Sequence, residues 1–157
     1  MNEHVRLIAS ELHSYEADFY AWTQEQAEAL RAGRLELADL ENIAEEIESL
    51  GSSQRDAVIS QFARATAHLL KIQFSTDEYP RRGWRVTVTD ARNQIGLKFE
   101  SPSLRSKSRE LFEKAWSQAV RLAEAGLIDE EAALVRLVAA SPFFTVEQVL
   151  DPDFFPD

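Results

Sequence analysis

The chain contains no cysteine, one methionine, five glycines and five prolines among its 157 residues. Without cysteine it can form no disulfide, no thiolate nucleophile and no cysteine-ligated zinc site. No apolar run approaches the roughly 18 residues that a membrane helix needs. Met1 to Tyr20 also lacks the apolar core of a signal peptide. These absences predict a soluble protein of the cytoplasm, with no membrane partner.

Charge is plentiful but uneven, because 27 acidic and 17 basic side chains give a net charge of −10. Residues 1–50 carry a net charge of −9, residues 51–125 of +5, and residues 126–157 of −6. The overall acidity argues against nucleic acid as a partner, since phosphate binding needs a net basic footprint. The basic middle could still make a local contact. We favour the interpretation in which acidic helices pack beside it and screen its charge.

The apolar periodicity is helical almost throughout, beginning near residue 18. Asp18 is the predicted N-cap of a helix over Phe19 to Arg31, with Gly33 just beyond its carboxyl end. Thr23 to Gln26 has the spacing of a capping box, so this helix could instead begin there.

The second and third helices are predicted on either side of Gly51. Asp39 is the expected cap of the second helix, which Gly51 ends, and Ser52 or Ser53 begins the third. The second helix has apolar residues at i, i+3, i+4 and i+7 spacing: Leu40, Ile43, Ala44, Ile47 and Leu50. The third has the strongest core pattern, with spacings of four and three in alternation: Val58, Phe62, Ala65, Leu69 and Ile72.

The segment that begins at Trp84 permits two interpretations. Trp84, Val86 and Val88 alternate with polar residues as in a strand, but apolar residues continue at helical spacing as far as Phe99. We favour a helix, because no partner strand is apparent elsewhere. A further helix is predicted from Pro102 to Gly126, since proline is favoured at the first helical position.

The last third of the chain carries shorter patterns. Asp129 is a candidate cap for a short helix to Ala140, and Thr145 begins a capping box that predicts a single turn. The tail is too aromatic for a solvated end, so we expect Phe154 and Phe155 to dock on the body. The predicted fold class is therefore all-α, a single-domain helical bundle with about five main helices and short loops. This domain covers residues 1–157, with residues 1–14 as a loose leader.

An acidic helix is the first candidate site. Glu41, Glu45 and Glu48 share one flank of the second helix, and Glu46 lies on the other flank. Carboxylate oxygens suit hard divalent cations, so one hypothesis is a Mg²⁺ or Mn²⁺ site of a nucleotide hydrolase. Helical nucleotide hydrolases also need a second acidic helix facing the first, and the sequence offers none. A solvated or arginine-paired face is the favoured interpretation, with no cofactor.

His68 is the second candidate, at the edge of the apolar stripe of the third helix. The Glu-x-x-His motif of carboxylate-bridged metal bundles is absent, because residue 65 is alanine. We favour a boundary histidine with a hydrogen-bond partner. The alternative is a general base or a pH-sensitive contact.

Arginines beside aromatic residues form the third candidate. Arg81, Arg82 and Trp84 could hold a phosphate or a stacked base. We favour the alternative in which Trp84 belongs to the core and the arginines meet the acidic helix. With His68, these residues make up the candidate partner or ligand surface. No phosphate-binding loop, nucleophile elbow or zinc-protease motif is found, which favours a protein without catalytic activity.

Several segments together resemble a known family. They are Tyr15 to Gln26, Leu30 to Arg34, Asp39 to Gly51, His68 to Lys71, Ser101 to Leu104 and Thr145 to Pro156. The chain resembles the bacterial domain-of-unknown-function family 29, which is found widely in cyanobacteria and proteobacteria. It departs from that pattern between Leu127 and Phe143, where relatives usually have a shorter link. The resemblance implies a small, stand-alone, all-helical protein and carries over no activity or catalytic residue.

We therefore expect a small, non-catalytic binding or protein-interaction module. Its partner is expected to be a protein, with self-association as one option. The first alternative is a metal-dependent nucleotide hydrolase that uses Glu41, Glu45 and Glu48. The second is a nucleic-acid contact through the basic middle of the chain.

Overall fold

The computed structural model describes residues 13–156, and these residues form helices and no strands. The helices are α1 (Phe19–Arg31), α2 (Leu40–Phe74), α3 (Arg81–Lys98), α4 (Pro102–Arg105), α5 (Ser108–Glu124), α6 (Asp129–Leu137) and α7 (Val146–Leu150). A 3₁₀ turn, Leu35–Leu37, lies between α1 and α2. The all-α prediction is confirmed. Residues 1–12 of the expected leader lie outside the described residues.

The fold consists of two compact units. The first ends at Ser52 and the second begins at Ser53. Helix α2 runs across this boundary, so its first turns belong to one unit and its long remainder to the other. The expectation of one domain over the whole chain stays a prediction.

Helix α1 begins where the cap at Asp18 predicts. Asp18 Oδ1 accepts a hydrogen bond from the backbone N–H of Ala21 at 2.9 Å. The alternative start at Thr23 is wrong, because its hydroxyl donates to the carbonyl of Tyr20 within the helix. Gly33 follows the helix with a φ of +68°, a left-handed conformation that glycine adopts without a steric penalty. Both predicted ends of α1 are therefore confirmed.

Helix α2 is one helix of 35 residues, so the prediction that Gly51 ends a helix is wrong. Its predicted cap is confirmed, since Asp39 Oδ1 accepts from the backbone N–H of Asn42. Gly51 does not adopt the positive φ of a helix-ending glycine. A glycine inside a helix costs about 1 kcal/mol relative to alanine. The continuous backbone hydrogen bonds of α2, with no proline to interrupt them, outweigh that cost.

The core of the second unit is built on the predicted stripe of α2. All five of its apolar residues are buried: Val58, Phe62, Ala65, Leu69 and Ile72. Helices α3 and α5 supply the facing side chains, among them Val88, Ala91, Ile95, Leu111, Ala115 and Ala119. Phe62 lies at the centre, with its ring 5.7 Å from that of Phe112 and 6.1 Å from that of Phe99. The preference for a helix in the Trp84 segment is also confirmed.

The predicted helix from Pro102 to Gly126 is wrong in one respect, because a turn at residues 106 and 107 divides it into α4 and α5. Residues 105–110 contain no apolar side chain, so packing does not favour a continuous helix there. Arg105 instead turns its Nε to donate to the carbonyl of Phe99 at 2.8 Å. Leu104 packs against the core, which holds the short α4 in place.

The predicted helix at Asp129 is present, with two corrections. Asp129 is the first helical residue rather than the cap, and no side chain caps this end. The helix ends at Leu137 rather than at Ala140. Residue 139 is held outside it, because Trp116 Nε1 donates to the Ala139 carbonyl at 2.8 Å. The capping box at Thr145 is confirmed by both of its hydrogen bonds.

The aromatic tail docks as predicted, through a buried arginine of α3. Arg92 Nε donates to the carbonyl of Val149, and Nη2 donates to that of Phe154, both at 2.8 Å. Two longer hydrogen bonds reach the carbonyls of Pro152 and Gln148. Phe154 and Phe155 both pack against the core.

Glu131 of α6 holds the loop that follows α2, and its protonation is expected to weaken the fold. Its Oε1 accepts from the backbone N–H of Thr76 at 2.7 Å and from the Thr76 hydroxyl at 2.9 Å. These bonds lower the pKa of Glu131 below its ordinary 4.5. A lowered folded-state pKa means that the stabilisation is present above pH 4.5 and is lost as the pH falls through the folded pKa.

We therefore expect Glu131→Gln to lower the free energy of unfolding by about 1–3 kcal/mol at pH 7, with the deficit shrinking below pH 4.5. Urea denaturation at pH 7 and at a pH below 4.5 measures this loss of free energy of unfolding. Glu113→Gln, at an exposed position of α5, is the matched control and should change little. A deficit that is the same at both pH values would contradict the assigned role of the carboxylate.

Candidate interaction surface

The amino-terminal part of α2 is held on one side by contacts within the first unit. The backbone N–H of Asp39 donates to Gln26 Oε1 at 2.8 Å. Asn42 donates to the Asp39 carboxyl through its backbone N–H and its Nδ2. The Tyr15 hydroxyl donates to Glu46 Oε1. The side of α2 that carries Asn42 and Glu46 therefore faces the rest of this unit.

Hydrogen bonding fixes the protonation of the groups at these contacts. The bond to Glu46 raises the pKa of Tyr15 to about 12, so the phenol stays protonated and donates at neutral pH. The bond from Asn42 lowers the pKa of Asp39, so the capping carboxylate stays ionised. The attachment of α2 is therefore insensitive to pH near neutrality.

A small aromatic cluster forms the interior of the first unit. Trp22 is buried, and the ring of Tyr15 meets it edge-on at 5.0 Å between centroids. The ring of Phe19 stacks on Trp22 at 5.7 Å. Aromatic pairs of this kind add about 0.5–1.5 kcal/mol each beyond the burial of their area. The unit therefore holds one side of α2 with aromatic packing as well as hydrogen bonds.

Another side of α2 exposes an apolar stripe. Leu40, Ile47 and Leu50 are 56%, 64% and 66% exposed, and Ala44 and Gly51 are exposed beside them. The stripe extends from Leu40 to Gly51, whose positions are eleven residues apart. At 1.5 Å per residue this is about 16 Å of helix. Single exposed apolar residues are common, whereas a contiguous exposed patch is typical of an interaction surface.

Three carboxylates border this stripe, and we call the whole surface the acidic stripe. Glu41, Glu45 and Glu48 are all exposed, on the shared flank that their spacing predicts. In the part of the chain that the structure describes, none of the three forms an ion pair. Among residues 13–156, no group of three or more histidine or acidic side chains is placed to hold a metal ion. The geometry therefore offers carboxylates to a partner at the edge of an apolar face.

His68 is a half-buried residue of α2 in the second unit, hydrogen-bonded within its own helix. Its Nδ1 lies 2.9 Å from the carbonyl oxygen of Arg64 and donates to it. Burial lowers the pKa of His68, so the imidazole is neutral at pH 7 and exposes only Nε2 as an acceptor. The favoured interpretation of a boundary histidine with a hydrogen-bond partner agrees with this geometry.

The arginines and the tryptophan that begin α3 do not converge on one ligand. Arg81 donates through Nη2 to the carbonyl of Ser75 at 3.1 Å, so it stabilises the preceding loop. Trp84 is half-buried and lines a cleft of about 380 Å³ with residues that include Pro80, Ile128 and Glu131. Neither Arg81 nor Arg82 lines that cleft.

Arg82 belongs to a different depression, between α3 and the docked tail. This depression has a volume of about 480 Å³, and two apolar and five polar or charged residues line it. Its lining residues are Arg82, Arg85, Val86, Thr89, Asp90, Asn93 and Phe155. The Arg85 guanidinium carbon lies 4.6 Å from the centre of the Phe155 ring, a cation–π contact. Asp90 forms an ion pair with Arg64 at 2.8 Å, so the arginines supply the free charge of this surface.

Sequence reasoning missed two features, the exposed surface of the acidic stripe and the role of Arg92. It identified the apolar spacing of the acidic stripe and its glutamates, but it did not combine them as one exposed surface. The role of Arg92 was also missed, because its four carbonyl partners are more than 55 residues away. The available signal was the position of Arg92 directly after Ala91, within the apolar spacing of α3 that continues to Ile95.

The fold and this surface define a small all-α protein with an exposed apolar helix face, whose flanking glutamates form no ion pair with the described residues. Within residues 13–156, no helix is both long enough and apolar enough to cross a membrane. The chain belongs to the family described as "Domain of unknown function DUF29", whose model matches residues 14–155. No curated protein and no solved structure matches the chain.

Proposed function

We propose that this protein is a non-catalytic interaction module whose acidic stripe binds a basic amphipathic helix of a partner protein. The observation that carries the proposal is the exposed apolar stripe of α2, flanked by glutamates that form no ion pair within residues 13–156. A helix that lays its apolar face on another apolar face is a recurrent mode of recognition. We expect the protein to be bacterial and to be located in the cytoplasm.

The charge of the surface selects the partner. Residues 35–54 contain six acidic side chains and no basic one. An acidic or neutral helix would place carboxylates or uncharged groups beside Glu41, Glu45 and Glu48, which gains nothing or costs repulsion. A helix with lysine or arginine beside its apolar face satisfies both the stripe and its flank. Opposite charge also speeds association at low ionic strength.

A synthetic basic amphipathic peptide tests this proposal. A fluorescent peptide of about 18 residues, with leucines at helical spacing and lysines elsewhere, should bind the intact chain by fluorescence anisotropy. Replacing Ile47 and Leu50 by serine removes the apolar anchors and should weaken binding about tenfold or more. The same peptide with glutamates in place of lysines should not bind.

Leu134→Ser with Leu137→Ser is the matched control, because both leucines are exposed on α6. This control should bind the peptide as the unmodified chain does. The proposal is overturned if this control loses as much affinity as the variant with serine at positions 47 and 50. It is also overturned if that variant binds the peptide with full affinity.

A further inference from the structure

We infer that the basic helix recognised by the acidic stripe is α3 of a second copy of this chain. This inference rests on the proposed function, since it names the partner of that surface. It requires that α3 expose a basic face with apolar positions, that the face match the stripe in length, and that a second copy be favoured by charge.

The outward face of α3 meets the first requirement. Val86 and Leu97 are 64% and 60% exposed, although the helix buries Val88, Ala91 and Ile95 on its other side. Arg82 and Arg85 are exposed along the same outward face as Val86. The side chain of Arg82 forms no hydrogen bond or ion pair with any residue that the structure describes.

The two faces are similar in length. Val86 and Leu97 are eleven residues apart, as are Leu40 and Gly51, so the outermost apolar positions of each face are about 16 Å apart. Each face includes an exposed glycine, Gly51 on the stripe and Gly96 on α3, with no heavy atom within 4 Å of the site of a Cβ. Helices approach each other more closely where a side chain is absent.

The depression beside Phe155 provides a specific contact for one residue of the stripe. Val86 and the ring of Phe155 supply apolar contacts there for a branched aliphatic side chain. Ile47 is an exposed side chain of this kind, and Glu48 follows it directly. An anchor residue in a depression edged by Arg82 and Arg85 would bring opposite charges together around it.

Between two copies of the chain, charge favours contact of the acidic stripe with α3 over contact of two identical surfaces. Stripe against stripe would oppose glutamate to glutamate, and α3 against α3 would oppose arginine to arginine, both of which are unfavourable. Stripe against α3 instead places opposite charges, the glutamates of the stripe and Arg82 and Arg85, in the same interface. Each copy carries both surfaces, so every copy can give and receive one such contact.

Sedimentation of the intact chain tests the inference directly. Over about 10 to 500 µM, the average mass should rise above the 17.8 kDa of one chain, in line with a weak interface. Raising the salt from about 50 mM to about 500 mM should reduce this association, since salt screens exposed charges. A mass of one chain at every concentration would overturn the inference.

Charge reversal distinguishes this contact from other forms of association. The triple variant Glu41→Lys, Glu45→Lys and Glu48→Lys should remain a single chain in solution, as should the double variant Arg82→Glu and Arg85→Glu. An equimolar mixture of the two should associate again, because each reversed surface then meets an opposite charge. Association in either variant alone at the original strength, or none in the mixture, would overturn the inference.

Two controls keep this experiment decisive. Glu36→Lys, Glu100→Lys and Glu113→Lys together change the net charge equally at exposed positions outside the stripe. This variant should associate as the unmodified chain does at the same salt concentration. Arg85→Glu also removes the contact with Phe155, so Arg82→Glu alone is the variant to use if the double variant loses thermal stability. If the synthetic peptide binds but the chain does not self-associate, the proposed function stands and this inference fails. If neither occurs, both fail.

Discussion

Replacing Arg92 by methionine is expected to lower the free energy of unfolding by about 3 kcal/mol, because hydrogen bonds to a charged group are worth about 1.5–3 kcal/mol each. Arg92 is 8% exposed, and its guanidinium donates at 2.8 Å to two carbonyls of the carboxyl-terminal segment. Methionine keeps most of the alkyl stem but leaves those carbonyls without donors. Loss of the Phe155 contact at 4.9 Å adds to the cost.

The effect should be concentrated in the tail. Amide hydrogen exchange of residues 150–156 should accelerate far more than that of α2, because Arg92 binds the backbone of this segment. Arg92→Lys should recover only part of the stability, since one ammonium cannot reproduce the planar fork of the guanidinium.

Arg121→Met on α5 is the matched control for Arg92. Arg121 is exposed, and its side chain makes no hydrogen bond or ion pair with the described residues. Its replacement should change the free energy of unfolding by less than about 0.5 kcal/mol. If the two variants unfold at the same denaturant concentration, Arg92 does not hold the tail.

Replacing Phe62 by alanine is expected to cost about 3–5 kcal/mol, the largest loss for any single truncation that we predict. Phe62 is fully buried, and its ring contacts those of Phe99 and Phe112. Truncation therefore loses both the transfer free energy of the ring and the contacts around the resulting cavity. For a chain of this size, 1 kcal/mol corresponds to about 2–4 °C, so the melting temperature should fall by roughly 10 °C.

Calorimetry measures this shift, and two further variants interpret it. Phe62→Leu leaves a smaller cavity and should give an intermediate loss that can be measured even if the alanine variant does not fold. Leu122→Ala removes a 44% exposed side chain of α5 and should shift the melting temperature much less. A shift for Phe62→Leu no larger than that for Leu122→Ala would contradict the central position of Phe62.

The helices could largely be predicted from the sequence, because their determinants are local. The caps at Asp18, Asp39 and Thr145 use hydrogen bonds that span three residues, and all three are present. The stripe from Val58 to Ile72 is buried because a long apolar face has few other ways to leave water.

The boundaries that failed were those where a weak local preference competed with longer-range forces. Gly51 disfavours a helix by only about 1 kcal/mol, which the continuous hydrogen bonding of α2 exceeds. The segment from residue 105 to 110 has good helix formers, yet it turns, because Arg105 bonds back to Phe99 and no apolar face holds it straight. Ala139 is held outside α6 by Trp116, which is 23 residues away.

The sequence by itself determined the helical class, most caps, the main core stripe and the acidic flank, since each depends on spacing within one helix. Tertiary structure alone decided which apolar faces are covered. The faces from Val58 to Ile72 and from Leu40 to Leu50 have similar spacing, yet the first is buried and the second is largely exposed. Burial depends on whether another surface arrives opposite a face, and no local pattern contains that information. The same holds for Arg92, whose charge is buried because carbonyls from the far end of the chain replace its water.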